Sequence, residues 1–156
     1  MHAHKTAIVI GALGVIGRYI VEKLASLPDW EVVGVSRRRG EDRDRVRFLS
    51  VDLLDAAAAG AACAGLRNAT HVFYAAFQGS SGAASGYAAN IAPNREMLVN
   101  AVSAIDAAAP GLERVVLVTG TKYYGTHLGP FRTPARESDP RHAGPNYYFD
   151  QIDWLT

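Results

Sequence analysis

The stretch KTAIVIGALGVIG, residues 5–17, constrains the fold more than any other part of the chain. Its first half is a continuous apolar run with β-branched residues, the pattern of a strand buried on both faces. Glycines follow at 11, 14 and 17, and from Val15 the apolar period becomes helical, with a stripe expected along Ile16, Ile20, Leu24 and Leu27. Gly11 permits a tight turn, Gly14 lets backbone approach a pyrophosphate, and Gly17 lets the helix pack closely on the sheet. A helix beginning there offers its unpaired N–H groups to phosphates. Three glycines at this spacing are a weak signal alone; a strand before them and a helix after them point to dinucleotide binding.

The rest of the chain repeats the alternation. Strands are expected at 31–36, 46–51, 70–76 and 114–120, with an alanine-rich helix at 55–66. A longer helix is expected from Pro93, burying Met97, Leu98, Ala101, Val102, Ile105 and Ala108. Short connections between strand and helix imply a Rossmann-type, doubly wound parallel α/β sheet. At 156 residues and 49% hydrophobic, the chain suits one domain, 1–156, with a substantial core. Residues 79–86 read as a small-residue, mobile loop, and 121–145 as an irregular active-site loop. GPNYYFDQIDWLT, residues 144–156, reads as the opening turns of a helix that nothing ends, so the chain is expected to be truncated.

The end of the second strand selects the cofactor. An NAD site usually carries an acid there; this chain has Ser36, Arg37, Arg38 and Arg39. Between Arg37 and Arg47 six arginines face three acids. A solvated basic loop is the plain alternative, but directly after strand two a guanidinium suits a 2′-phosphate, which favours NADP(H). Asp52 is placed either to bind the adenine amino group or to serve as a turn or helix-cap aspartate.

After strand five comes TGTKYYGTHLGPF, at the edge where open α/β sheets bind ligands. Thr119 and Gly120 would lie beside a nicotinamide. Lys122 would donate to the cofactor ribose and lower a nearby phenol's pKa, setting a proton donor opposite the hydride. A surface lysine with core aromatics fits the spacing as well. Cys63 reads as a small packed hydrophobe, and the histidines show no metal-ligand spacing. Net charge is +1, arguing neither for nor against a nucleic-acid partner. No secretory pattern or membrane-spanning run is present, so a cytoplasmic protein is expected.

At these residues the sequence resembles the short-chain dehydrogenase/reductases, within them the atypical branch of plant progesterone 5β-reductase, iridoid synthase and bacterial homologues. GALGVIG, VVGVSRR, VDLLD, THVFYAAF, VTGTKYYGTHLGPF and GPNYYFDQIDWL carry the resemblance, in the family's order. It implies NADPH-dependent reduction of the C=C bond of an α,β-unsaturated carbonyl compound, a small-molecule enone, with tyrosine and lysine stabilising the enolate oxygen. Gly11, Leu13, Gly14, Val15, Ile16 and Gly17 fall on the pyrophosphate turn, Ser36, Arg37 and Arg38 on the 2′-phosphate site, Asp52 and Leu53 on the adenine contacts. Ala76, Thr119 and Lys122 complete the cofactor set. The family's Asn-Phe-Tyr-Tyr appears as Asn146, Tyr147, Tyr148, Phe149, which puts Phe149 where the catalytic tyrosine is expected. Either the acid is lost or Tyr148 has taken over. Family members continue into a substrate-binding lobe and pair as homodimers. A sugar-nucleotide epimerase of the same superfamily shares the glycine turn but needs Tyr-x-x-x-Lys on a helix after the fifth strand, where no such pair occurs; a non-catalytic NADP(H)-binding module is the other alternative.

Overall fold

A computed structural model describes residues 4–79 and 87–156. Five parallel strands, β1 (Lys5–Ile10), β2 (Trp30–Ser36), β3 (Val46–Ser50), β4 (His71–Tyr74) and β5 (Arg114–Leu117), form one sheet in the order β3-β2-β1-β4-β5. The order reverses between β1 and β4, whose register sets Ala7 beside His71 and Ile10 beside Tyr74. That reversal opens a crevice at the carboxyl ends of the strands.

Two apolar cores flank the sheet. Alternate residues of β1 point to opposite faces: Ala7 and Val9 pack with Val21 and Leu24 of α1 (Val15–Ala25), while Ile8 and Ile10 pack beneath α2 (Ala56–Cys63) and α3 (Ile91–Ala108). A last helix, α4 (Tyr147–Leu155), lies against α3. Its Trp154 and Leu155 join the second core. Among the described residues no helix is long and apolar enough to cross a membrane.

Several expected boundaries and faces shift. The buried side of α1 runs through Gly17, Val21 and Leu24, whereas Ile16 is half exposed. Close packing of Gly17 on the turn turns that face inward and leaves Ile16 at the crevice. Pro93 is the third residue of α3, not the first, because the chain enters through a short 3-10 helix, Tyr87–Asn90. β5 stops at Leu117, three residues short of the apolar run. Residues 80–86 of the expected small-residue loop lie outside the described residues.

One core group stands out. The Tyr74 hydroxyl is buried with no hydrogen-bond partner among the described residues, and burial pushes its pKa well above the ordinary phenol range. Tyr74→Phe removes an unsatisfied buried hydroxyl while keeping the ring. It is expected to stabilise the fold by about 1 kcal/mol in urea denaturation; a loss of stability would mean the hydroxyl has a partner.

Candidate functional site

The turn after β1 is fixed by backbone alone. The amides of Gly11 and Ala12 both donate to the Val35 carbonyl, at 2.8 and 3.2 Å, and Gly14 N–H donates to the Gly11 carbonyl at 2.9 Å. Gly11 has φ +82°, and a Cβ there would come within 2.8 Å of the Ala76 amide nitrogen. Gly14 is the N-cap of α1 with no side-chain cap, and the first turn carries no acid. The helix therefore presents open N–H groups and a positive end to the crevice.

A cavity of ≈ 740 Å³ occupies that crevice. Ten of the residues singled out in the sequence line it: Gly11, Leu13, Gly14, Val15, Ile16, Ser36, Arg37, Arg38, Leu53 and Ala76. Val35, Val51, Ala75, Phe77, Gln78 and Met97 complete its walls. Gly17 lies beneath the turn, and Asp52, Thr119 and Lys122 lie outside the lining. Asp52 makes a turn: its carboxylate accepts from the Leu54 amide at 3.1 Å, while Asp55 caps α2 through the Ala58 amide at 2.9 Å.

Of the six arginines, Arg43 and Arg47 lie outside the crevice lining, and the structure sorts the other four. Arg45, at φ 54°, donates to the Leu27 and Ala25 carbonyls at 2.8 and 2.9 Å and so closes the C-terminal end of α1. Arg39 pairs with Asp42 at 3.2 Å. Arg37 and Arg38 have no ion-pair partner among the described residues, although their backbone is held. The Ser36 hydroxyl donates to the Arg38 carbonyl at 2.6 Å and the Ser50 hydroxyl to the Arg37 carbonyl at 2.7 Å. Two unpaired guanidiniums on a tethered loop suit a phosphate monoester.

At the carboxyl edge of β5 a second constellation gathers. A side chain on Gly120 would begin 3.1 Å from the Tyr148 hydroxyl, so that hydroxyl lies directly over Gly120. Phe149 points the other way, buried against Tyr123 and His142 with centroids at 5.2 and 5.0 Å. Lys122, in a short 3-10 helix Thr121–Tyr124, sets its ammonium 5.3 Å from the ring centroid of Tyr87. The phenol beneath the lysine is thus Tyr87, and burial, with Tyr148 adding, pushes it up to about 12 rather than down.

The residue that joins these groups is Asn146, which the sequence showed as the first position of the aromatic motif but to which it gave no role. Asn146 is buried, and its amide makes four hydrogen bonds. Oδ1 accepts from the Tyr148 amide at 3.0 Å, capping α4, and from the Tyr87 hydroxyl at 2.9 Å. Nδ2 donates to the Lys122 carbonyl at 2.8 Å and lies 3.0 Å from His142 Nε2. A second buried amide, Asn94, accepts from the Gln78 amide at 2.9 Å and donates to the Gln78 carbonyl at 2.8 Å, pinning the cavity wall to α3. Gln151 of α4 donates to the Asn94 carbonyl at 2.9 Å. Asn94 falls three and four residues before Met97 and Leu98, so a polar residue on the buried stripe was the available signal.

The profile of the NAD dependent epimerase/dehydratase family matches residues 7–149. A short chain dehydrogenase of Penicillium aethiopicum is 36% identical over 166 residues, covering 97% of this chain and 42% of that protein. An (S)-8-oxocitronellyl enol synthase of Nepeta cataria and a 3-oxo-Delta(4,5)-steroid 5-beta-reductase of Arabidopsis thaliana are each 32% identical, over 96% of this chain and 40% of theirs. The chain thus spans about two-fifths of the length of these curated relatives. Among solved structures, the Bordetella bronchiseptica enzyme WbmH in complex with NAD+ superposes with a TM-score of 0.73 at 24% identity, covering 97% of this chain and 51% of that one.

Proposed function

The chain belongs to the NAD dependent epimerase/dehydratase family, as an atypical short-chain dehydrogenase/reductase similar to the enol synthases and steroid 5β-reductases, and on that premise we propose that it is the NADP(H)-binding part of an oxidoreductase that reduces the C=C bond of α,β-unsaturated carbonyl compounds. One observation carries the reading: the crevice with its two unpaired guanidiniums and the Tyr148–Gly120–Lys122 constellation share the carboxyl edge of one sheet. The residues fit the cofactor. Gly11 leaves no room for a Cβ, the first turn of α1 is uncapped, and Arg37 and Arg38 are free to take a 2′-phosphate.

When bound, the cofactor supplies a hydride to the β-carbon of the enone. The chain's own residues do the rest. Amides at the start of α1 hold the pyrophosphate, and Arg37 and Arg38 hold the phosphate that distinguishes NADP(H) from NAD(H). Tyr148 donates a hydrogen bond, or its proton, to the carbonyl oxygen as it gains enolate character. Lys122 adds a positive charge at the same edge and a donor for the cofactor ribose. Cys63, buried with its thiol pushed up by burial, fits the reducing cytoplasm as the compartment.

Incubation with NADPH deuterated at the transferable position and an enone tests the reading. Deuterium at the β-carbon of a saturated product is the expected result. Cofactor binding with no transfer to any enone would favour the alternative, a non-catalytic NADP(H)-binding module.

A further inference from the structure

We propose that His142, in its Nδ1–H form, is a positioning residue that locks Asn146 and, through it, Lys122 and Tyr148. The link to turnover rests on the reading of Tyr148 and Lys122 given above; the lock itself does not.

The tautomer follows from the partners. Asn146 Oδ1 is identified by the Tyr148 N–H that it accepts, and Nδ2 by the Lys122 carbonyl to which it donates. Nδ2 then has one hydrogen left, directed at His142 Nε2 3.0 Å away, so Nε2 must accept. The proton is on Nδ1, which donates to the Ala143 carbonyl at 3.0 Å. Every position on the buried Asn146 amide is used, so loss of the His142 acceptor would leave an unmet donor on a buried group, where it costs most.

The other groups around His142 leave this bond to it. Arg141 is held by Asp153 at 2.7 and 2.9 Å. The ring of Phe149 packs on His142 from α4 with centroids 5.0 Å apart, and a Cβ on Gly125 would lie 3.3 Å from the His142 ring. Tyr87, with its phenol up near 12, remains a donor to Asn146. His127 stacks on Tyr87 at 4.4 Å and meets His142 edge-on at 5.4 Å, but it makes no hydrogen bond to Asn146 among the described residues.

Hydrogen exchange of the Tyr148 amide, expressed as protection against the unstructured rate, reads the lock directly. The amide of Leu98, fully buried in the middle of α3, is the internal reference for global unfolding. Protection of Tyr148 relative to Leu98 is expected to fall about tenfold or more in His142→Phe, which removes the acceptor. His142→Gln offers a carbonyl acceptor in its place and should keep most of the protection, and His127→Phe should match the parent. A His142→Phe variant with unchanged protection, a His142→Gln variant that loses as much as His142→Phe, or a His127→Phe variant that loses protection would each overturn the proposal. If the exchange data hold but His142→Phe leaves NADPH-dependent enone turnover unchanged, Tyr148 is locked yet not the reacting group, and the catalytic reading fails instead.

Discussion

Gly17→Ala is expected to cost more than about 3 kcal/mol of stability and to weaken NADPH binding about a hundredfold or more. A Cβ at Gly17 would stand 2.1 Å from the Gly11 carbonyl oxygen and 2.7 Å from its carbon. Both are backbone atoms of the turn that shapes the crevice, so neither can rotate away. Relief requires α1 to lift off the turn, which breaks the bonds from Gly11 and Ala12 to the Val35 carbonyl and moves the open N–H groups off the phosphate position. Gly60 is the matched control. It is also helical, but nothing lies within 4 Å of its Cβ position, so Gly60→Ala should stabilise by about 0.5–1 kcal/mol through helix propensity. Urea denaturation and NADPH titration of both variants check the pair. Equal behaviour would mean that the glycine turn is not packed as described.

Tyr148→Phe is the second large effect. Turnover of an enone is expected to drop roughly 10²–10⁴-fold, the usual worth of a positioned proton donor, with NADPH affinity little changed. The ring keeps its contact with Tyr147, centroids 4.2 Å apart, so only the hydroxyl over Gly120 is lost. The family register makes the opposite forecast, because it assigns the reacting position to Phe149. On that register Tyr148→Phe is harmless and Phe149→Tyr activates. The structure packs Phe149 against Tyr123 and His142, with the Arg141 guanidinium 4.8 Å from its ring centroid, and places the Tyr148 hydroxyl, not Phe149, over Gly120. Steady-state kinetics on the two variants separate the alternatives.

The contrast shows what a sequence carries. Buried parallel strands read as continuous apolar runs, so all five were legible, and the glycine turn announced itself by its position between strand and helix. Ends were less legible, because an apolar run does not say where the chain leaves the sheet: Val118 still donates to the Tyr74 carbonyl after β5 has ended. Of the expected stripe, Ile20, Leu24 and Leu27 do pack on the core and only Ile16 does not, because periodicity counts side chains, whereas here Gly17, having none, is the inward point. Arg37 and Arg38 were legible as a basic pair, but the structural task of Arg45 was not, since it depends on meeting carbonyls 18 and 20 residues away. The Asn146 hub was illegible for the same reason. Its partners Tyr87 and Lys122 lie 59 and 24 residues off, and only the fold brings them to one amide.

The proposed NADP(H) site rests on the glycine turn and the Arg37–Arg38 pair. Its most direct test is a fluorescence titration with NADPH and NADH in parallel, on the parent protein and on Arg37→Ala/Arg38→Ala. NADPH is expected to bind the parent at least about tenfold more tightly than NADH, and the double variant to lose that preference while keeping its NADH affinity. Equal binding of the two cofactors by the parent protein would contradict it.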